Sequence, residues 1–407
     1  MASSKVTSIT PSSVREAKSK SLAALIEKVT GQKQMGLTEG TLPHIATEIV
    51  GVDALIGGSP VTGKPDQLIC PGFPKGRLIE IYGQESSGKT TLALAAIAAC
   101  QREGGVCLFL DYENSLHMGY AKAIGVSFDP DKLLYYAPDT LEEGFKMMYM
   151  AITQGIDLIV VDSVAAMVPA DELAKKLDDA AKIGALARAM AGTLPKMVQW
   201  LKKYPTCVIF LNQLRATINT SGGRAPSEDN TSGGKAIKFY ASLRMKLTRV
   251  RSDFVEKVDP VTLKKKRAPY GNLVQVKMVK NKIDGKQGHS AEVFVRYGYG
   301  FDRYLSTIEG AIPRKLVTQK ASSYTFEGET FKGRDALRRH LIANPEKYLK
   351  LNAALMKSLV SEAPEPVEDT ETDDDIISKM ASELGEDDED GEDEVVEADS
   401  MLESEAG

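Results

Sequence analysis

A glycine-rich segment that ends in Lys and Thr carries the strongest chemical signal. Residues 83–90 read GQESSGKT and fit the phosphate-loop pattern G-x-x-x-x-G-K-[ST], between the apolar run LIEIY and a helical stretch. In such a loop, backbone N–H groups face phosphates, the lysine charge reaches the β- and γ-phosphates, and the hydroxyl binds Mg²⁺. We therefore predict an ATP and Mg²⁺ site that includes Gly83, Gln84, Glu85, Ser86, Ser87, Gly88, Lys89, Thr90 and Thr91.

Carboxylates at the ends of two other apolar runs complement this loop. Asp162 ends LIVVD and is suited, with Thr90, to hold Mg²⁺, although an Asp that caps a following helix gives the same pattern. Glu113 follows VCLFLDY, at the edge where open α/β sheets bind ligands, and a carboxylate there can deprotonate an attacking water. Asp111 competes for this role, and a surface or capping acid is the alternative for Glu113.

The elements that must position these residues form an alternating pattern. Short β-rich runs at 78–82, 106–111, 158–162 and 208–212 alternate with helical stretches, which predicts an α/β fold with a mostly parallel, doubly wound sheet. The helix after Gly88 is apolar on nearly all faces and should be buried. Farther on, SLRMKLTRV, NLVQVKMVKN and AEVFVRYG predict strands that extend the sheet in antiparallel fashion.

Charge is divided unevenly along the 407 residues. Residues 361–407 contain 21 Asp or Glu and one Lys, a net charge of −20, so the first 360 residues carry about +15. A basic body with an acidic tail suits a protein that binds a polyanion such as nucleic acid. A tail that only improves solubility is the alternative, and in either case we expect it to be disordered.

Composition favours a cytoplasmic protein without membrane contact. No apolar run approaches the roughly 18 residues that cross a bilayer. Residues 1–24 are rich in Ser, Lys and Arg, as transit peptides are, but Ser13 and Glu16 have capping-box spacing, so we favour an ordinary helix. The four cysteines form no C-x-x-C pair, and we expect buried reduced thiols at Cys70, Cys100, Cys107 and Cys207.

Several segments, in this order and spacing, resemble the RecA recombinase family: GRLIEIYGQESSGKTTLALAAIAACQREGG, LDYENSL, LIVVDSVAAMVP, FLNQLR, TSGGKAIKFYASLRMKLTR and VKMVKNK. The resemblance covers residues 51–360, and SGGKAIKFYAS followed by VKNK is a narrow signature. It implies a RecA-type P-loop ATPase core with an N-terminal helix and a small α+β C-terminal domain. It also implies DNA-stimulated ATP hydrolysis, helical filaments on single-stranded DNA, and homologous pairing and strand exchange in recombination, DNA repair and the SOS response.

The same resemblance implies roles for single residues. Glu113 is the catalytic carboxylate, and Gln213 senses the γ-phosphate. Lys280 and Lys282 of VKNK reach the neighbouring subunit's γ-phosphate as an arginine finger does, and Phe239 is an interface residue. Tyr120 and Tyr297 correspond to family positions that stack near the adenine of ATP. His117 stands where the family commonly has an acidic residue that contacts the adenine.

Two DNA-binding loops are implied at residues 172–183 and 214–234. The first departs from the family because ELAKKLDDAAKI replaces a glycine-containing loop, and the second is a few residues longer than usual. Pro195 also replaces a basic residue. The predicted DNA-binding residues, each with a solvated loop residue as the alternative, are Lys175, Lys176, Arg188, Lys196, Arg215, Ile218, Arg224, Gly233, Gly234 and Lys235.

The resemblance also predicts assembly. Residues 13–29 resemble a polymerisation helix, and GVDALIGG at 51–58 resembles a strand-forming linker that docks on the next subunit, lengthened by an insertion at 60–71. Such head-to-tail contacts build filaments, with a closed ring as the minor form. Single-stranded DNA, a homologous duplex, and mediator and single-strand-binding proteins are the implied partners. The expected domains are 1–50, 51–308, 309–360 and 361–407.

Other functions stay open at this point. A hexameric helicase or a repair ATPase with a zinc module is disfavoured because the chain has no C-x-x-C pair and no large N-terminal helical domain, while a nucleotide-gated DNA-coating protein is not excluded. The run KKKR at 264–267 fits a nuclear signal, but we favour a solvated hairpin tip because it lies between predicted strands.

Overall fold

The computed structural model describes Leu25 and residues 27–29, 40–174, 184–214, 231–258, 264–284 and 286–361. The chain divides into two units, Met1–Ala363 and Pro364–Gly407, and all of these residues belong to the first. The predictions for the acidic tail and for most of the N-terminal helix lie outside them. Leu25 and residues 27–29, the described part of that helix, are helical.

The secondary structure elements are numbered here in chain order. The strands are β1 (His44–Ile45), β2 (Pro60–Val61), β3 (Lys64–Leu68), β4 (Phe73–Pro74), β5 (Leu78–Gly83), β6 (Cys107–Asp111), β7 (Leu133–Tyr136), β8 (Leu158–Asp162), β9 (Cys207–Gln213), β10 (Leu243–Val258), β11 (Lys265–Asn281), β12 (Ser290–Arg296), β13 (Gly300–Phe301), β14 (Thr318–Lys320), β15 (Ser323–Phe326) and β16 (Glu329–Lys332). The helices are α1 (Val50–Gly57), α2 (Lys89–Arg102), α3 (Met118–Ile124), α4 (Leu141–Thr153), α5 (Ala170–Leu173), α6 (Ala185–Lys203), α7 (Lys235–Tyr240), α8 (Arg303–Ala311), α9 (Arg334–Ala343) and α10 (Pro345–Ser361).

A nine-stranded sheet organises the fold, in the order β13-β12-β11-β10-β5-β9-β8-β6-β7. All pairs from β10 to β7 are parallel, and those from β10 to β13 are antiparallel. The mostly parallel sheet with an antiparallel extension is therefore confirmed. One detail differs, because β10 pairs parallel with β5: the chain crosses over through α7 before β10 begins, which lets β10 run in the same direction as β5.

The interior of this sheet is formed by apolar strands. β5, β6 and β8 are buried throughout, as continuous apolar runs in a sheet covered on both faces should be. Helix α2, predicted as a buried central helix, packs its apolar side chains into the core on one face. The edge strand β7 was not predicted from the sequence; its four residues, LLYY, are too short a run to show a period.

The prediction for GVDALIGG was wrong. The structure forms helix α1 there, and all but one of its residues are buried within the chain's own fold, including Val52 and Ile56. As a helix, the segment satisfies its backbone hydrogen bonds internally, so its apolar side chains can be enclosed on nearly every side. Its buried carboxylate, Asp53, accepts hydrogen bonds from Thr47. The insertion that follows forms the small β2–β3 hairpin.

Residues beyond the sheet form strands and helices, as expected of a small α+β domain. Strands β14, β15 and β16 make a separate sheet, and α8, α9 and α10 pack with it around a third apolar cluster. This cluster includes Leu273 and Phe294 of the central sheet. The boundaries of the domains stay predictions. All four cysteines are buried and unpaired, as expected. No described helix is both long enough and apolar enough to cross a membrane.

Candidate functional site: a nucleotide site beside two loops

The glycine-rich segment is placed as a phosphate loop requires. It joins β5 to α2, and Gly88, immediately before the helix, has a φ of 94°, a left-handed conformation that favours glycine. Lys89 begins α2, and its Nζ donates to the carbonyl oxygens of Gly83 (3.3 Å) and Gln84 (2.8 Å). The lysine is therefore held across the mouth of the loop, and burial lowers its pKa.

One buried atom tests whether the loop fits a phosphate. The hydroxyl Oγ of Ser87 is buried and has no hydrogen-bond partner among the residues that the structure describes. A buried hydroxyl without a partner costs free energy, so a hydrogen-bonding ligand at this position is favourable. Together with the helix N-terminus and the Lys89 charge, this donor fits the triphosphate of ATP.

The proposed metal ligands are already in contact. Thr90 Oγ1 donates to Asp162 Oδ2 over 2.8 Å, although the two residues lie 72 positions apart. The pKa of Asp162 is raised to about 6, mainly by burial and also by the nearby carboxylates of Glu113 and Asp111, while the hydrogen bond from Thr90 opposes the shift. A divalent cation would neutralise this acidic cluster, so Thr90 and Asp162 fit Mg²⁺.

Glu113 lies where a base for water activation should lie. Its Oε1 accepts hydrogen bonds from Gln213 Nε2 at 2.9 Å and from Ser163 Oγ. Three strand ends therefore meet at one carboxylate: β6 leads to Glu113, β8 to Ser163 and β9 to Gln213. Ser163 was missed by the sequence analysis, although its position directly after Asp162 was a usable signal.

Asp111, the competing carboxylate, has a structural role. Its side chain is buried, and its two oxygens accept hydrogen bonds from the backbone N–H groups of Glu113, Ser115 and Leu116 and from the hydroxyl of Tyr135. These four donors occupy the carboxylate and fix the turn after β6. That turn places Glu113 beyond the strand end, so the structure favours Glu113 as the base.

Tyr120 and Tyr297 line one open cavity of about 510 Å³ together with His117. Tyr120 is joined to the phosphate-loop helix by a 3.0 Å hydrogen bond between its hydroxyl and that of Thr91. Tyr297 donates to Asn272 Oδ1 at 2.9 Å. His117 caps α3 by accepting from the Tyr120 N–H, which explains a histidine at that position. The cavity fits a planar base between two aromatic side chains.

Comparisons with known proteins identify the family of the chain. The model of the RecA N-terminal domain matches residues 24–302. The chain is 40% identical to the Protein RecA of Clavibacter michiganensis subsp. michiganensis over 303 residues, which cover 72% of this chain and 79% of the relative. It is 41% identical over 282 residues to that of Leptospira biflexa, covering 69% and 68%, and 39% identical over 304 residues to that of Amycolatopsis mediterranei, covering 73% and 82%.

The chain belongs to the RecA family. The predicted RecA-type core and the role in DNA recombination and repair are thereby confirmed. RecA-family proteins bind ATP with a divalent metal ion and act on DNA as filaments.

The residues predicted for a subunit interface lie next to each other. Lys280 Nζ donates to the carbonyl oxygens of Lys238 (2.5 Å) and Phe239 (3.0 Å), at the C-terminal end of α7. Burial lowers the pKa of Lys280 to about 8, with contributions from Lys282 and Arg244. The side chain of Phe239 is 69% exposed, which is unusual for a large apolar residue. Lys282 is exposed as well.

The structure describes half of the predicted DNA-binding residues. Arg188 and Lys196 lie on the exposed side of α6, two turns apart. Gly233 and Gly234 precede Lys235, the first residue of α7, and a Cβ at Gly234 would lie 2.7 Å from that of Ala187. This close approach brings the end of the second loop against the start of α6. Outside the described residues lie Lys175, Lys176, Arg215, Ile218 and Arg224.

A buried polar network behind the site was also missed. Glu80 on β5 is fully buried and pairs with Arg244 Nε on β10 at 2.6 Å. Asn212 on β9 donates from Nδ2 to Glu80 Oε1 and to the Ser232 carbonyl, both at 2.9 Å. The network therefore ties the end of the second loop to the strand that carries Gln213. The sequence did not indicate this network, because each of its polar side chains lies in a different strand.

We expect Glu80→Ala to lower the free energy of unfolding by about 3–5 kcal/mol, since it leaves the Arg244 charge buried without its carboxylate. Urea unfolding measures this. The control is Glu256→Ala, which breaks an exposed pair with Lys265 and should cost at most about 1 kcal/mol. A double variant, Glu80→Leu with Arg244→Met, should recover part of the loss. Equal effects at both sites would contradict the assignment.

Proposed function

We propose that this chain is a DNA-stimulated ATPase that forms helical filaments on single-stranded DNA and exchanges strands with a homologous duplex. The observation that carries the proposal is the hydrogen bond from Gln213 to Glu113. Gln213 ends β9 and is followed by the second loop, so the proposed base for ATP hydrolysis is bonded to the residue from which a DNA-binding loop begins.

Each residue of the nucleotide site has a separate role in the proposed hydrolysis of ATP. Lys89, Ser87 and the N–H groups at the start of α2 would hold the phosphates of ATP, and Thr90 with Asp162 would hold Mg²⁺, which supplies charge neutralisation at the phosphates. Glu113 accepts the proton of the attacking water. Tyr120 and Tyr297 would hold the adenine. Whether Gln213 keeps its hydrogen bond to Glu113 depends on the nucleotide that is bound. A change in this bond would move the start of the second loop and so couple the nucleotide site to that loop.

DNA contact would come from the two loops and from α6. Arg188 and Lys196 offer exposed charge for phosphates, and the close packing of Gly234 on Ala187 would make the second loop and α6 move as one surface. The other loop residues named from the sequence are proposed for the same role. We also propose the cytoplasm as the compartment, in keeping with four unpaired cysteines.

A filament needs a receiving surface on each copy, and the apolar surface at the β7 end of the sheet is a candidate for it. Edge strand β7 and helix α4 line an apolar cavity of about 420 Å³ that includes Leu134, Tyr136 and Met150. Leu25 and Val29 of the N-terminal helix are exposed and lie four residues apart, which puts them on one helix face. We propose that this face of one copy packs into the β7–α4 cavity of the next.

We expect Met150→Glu to prevent filament assembly, because it places a charge in that contact while leaving the monomer fold intact: the Met150 side chain is 59% exposed. Sedimentation and light scattering with ATP and single-stranded DNA measure assembly. Leu349→Glu is the matched control, at an apolar residue of α10 that is 64% exposed. Filaments of normal length from the Met150 variant would reject this surface.

The proposed function is tested by joint-molecule formation. Purified protein, ATP, a single strand and a homologous supercoiled duplex should give joint molecules, and Lys89→Ala or a non-homologous duplex should give none. ATP hydrolysis stimulated by single-stranded DNA without joint molecules would point instead to a motor. DNA binding without either activity would point to a coating protein.

A further inference from the structure

The hairpin of β10 and β11 extends past the sheet. β5 pairs with β10 only over residues 243–247, and β12 pairs with β11 only over residues 271–277, yet β10 and β11 continue to pair with each other as far as Val258 and Lys265. Residues 249–258 and 264–270 therefore project beyond their neighbours, and we name them the outer hairpin. Nothing in the nucleotide site requires this extension.

The outer hairpin leaves the sheet at the edge that carries the nucleotide site. Because β10 is parallel to β5, both strands run toward that edge, and Leu247 of β10 pairs with Gly83, the first residue of the phosphate loop. On the other side, Gly83 pairs with Gln213, where the second loop begins. The outer hairpin and the second loop thus leave one edge of the sheet two strands apart.

One face of the outer hairpin is held by the residues that follow the sheet. Asp253 accepts a hydrogen bond from Arg334 at 2.5 Å, and the Tyr270 hydroxyl donates to Asp335 at 3.0 Å, both at the start of α9. Arg251 pairs with Glu309 of α8 at 3.2 Å. Several charge-assisted bonds on one side fix the direction of a hairpin that would otherwise depend on two strands alone.

The opposite face and the adjoining strand end are exposed and basic. Phe254 is 44% exposed, with the Arg267 guanidinium 4.2 Å from its ring centre, and Lys265 is 75% exposed. Lys264 and Lys266 are exposed and have no ion pair among the residues that the structure describes. Residues 249–270 contain seven Lys or Arg and three Asp or Glu. Glu256 pairs with Lys265 at 3.1 Å and offsets one of these charges, but the cations still outnumber the acids, so an anion that binds here reduces their mutual repulsion.

We propose that the outer hairpin is a contact surface for the phosphate backbone of duplex DNA. A two-stranded β-ribbon has the width that the major groove admits, and duplex DNA carries one charge per roughly 1.7 Å of its axis, a density that suits adjacent lysines. The outer hairpin exposes cations, one aromatic side chain and the Glu256 carboxylate, but it contains no Asn or Gln of the kind that reads base edges. The contact is therefore independent of sequence and brings any duplex to the edge from which the second loop leaves.

The test compares two triple variants of the full chain. Lys264→Ala, Lys265→Ala and Lys266→Ala together remove charge from the outer hairpin. Lys132→Ala, Lys202→Ala and Lys203→Ala remove the same charge from exposed residues beside the starts of β7 and β9, at the opposite edge of the sheet. Fluorescence anisotropy without nucleotide, over a salt series, gives the affinity for a duplex of mixed sequence and for one of its strands.

We expect the outer-hairpin variant to bind duplex at least about tenfold more weakly at low salt, and the slope of log affinity against log salt to fall by up to about 2.7, from 0.9 per phosphate contact. The control variant should match the unchanged protein. A duplex slope equal to that of the control overturns the proposal. An equal loss for single strand and duplex overturns the assignment to duplex and moves these lysines to the single-strand site.

This inference goes beyond the proposed function and can fail separately from it. The anisotropy measurement needs neither hydrolysis nor pairing, so loss of duplex binding in the variant would support the outer hairpin even if the protein formed no joint molecules. Conversely, single-strand-stimulated ATP hydrolysis should stay within about twofold in the outer-hairpin variant, because the residues changed are absent from the nucleotide site. A melting temperature equal to that of the unchanged protein would show that the variant keeps its fold.

Discussion

Glu113→Gln should lower kcat for ATP hydrolysis by about 10²–10⁴-fold while leaving ATP affinity within a few-fold. The amide keeps the size of the side chain and an oxygen that can accept the bonds from Ser163 and Gln213, but it cannot take a proton from water. Filaments formed with ATP should therefore persist, since the step that ends the ATP state is blocked. Hydrolysis assays and ATP binding measured separately give the two quantities.

The control for this variant is Glu103→Gln, an exposed acid after α2 and outside the site, which should hydrolyse ATP normally. Turnover at the normal rate in the Glu113 variant would show that another group activates the water. Asp111 is a poor replacement because four donors already occupy its oxygens. Weak ATP binding, in contrast, would show that Glu113 shapes the phosphate loop rather than acting on water.

The core of the fold was predictable because local pattern and burial agree there. β5, β6, β8 and β9 are continuous apolar runs, and the glycine-rich loop between β5 and α2 has a composition that few other structures require. Prediction failed where the same residues suit two structures. GVDALIGG is apolar enough for a buried strand or a buried helix, and only its packing with the rest of the chain decides for the helix.

The site divides in the same way. Residues of the phosphate loop could be named because one short segment holds them all. Asn212 and the Glu80–Arg244 pair could not be named, because the contacts of Glu80 with Asn212 and Arg244 span 132 and 164 positions of the chain. The choice between Asp111 and Glu113 also needed coordinates, since the sequence shows two carboxylates two residues apart but not which one already has its hydrogen bonds.

These missed residues suggest how the two halves of the site are connected. Gln213 contacts Glu113, and the adjacent Asn212 contacts the Ser232 carbonyl and Glu80, so two neighbouring side chains of β9 hold the nucleotide side and the end of the second loop. Glu80 in turn binds Arg244, which pairs across the strands with Lys280. A short polar path therefore runs from the proposed base to the proposed interface lysine.

Replacement of Lys280 should have a large effect on ATP hydrolysis, and the contribution of this lysine should depend on pH. The pKa of Lys280 is lowered to about 8, first by burial and then by Lys282 and Arg244, so its cation is present below pH 8 and is lost as the pH rises above it. If this charge acts on the phosphates of the neighbouring copy, Lys280→Ala should lower ATP hydrolysis in filaments by about 10³-fold, as loss of an arginine finger does. ATP binding by the monomer should not change.

The variant Lys280→Arg distinguishes a requirement for the positive charge at this position from an effect of the substitution on the fold. A guanidinium stays charged to a pH above about 12, so this variant should keep its activity as the pH rises from about 7 to about 9, whereas the unchanged protein should lose activity over that interval. Lys277→Arg, at an exposed position of the same strand, should keep the original pH profile. The same decline with pH in the Lys280→Arg variant would assign the titration to another group. ATP hydrolysis by the Lys280→Arg variant that does not change with pH would show that the positive charge at this position is required, because arginine restores the charge of lysine but not its shape.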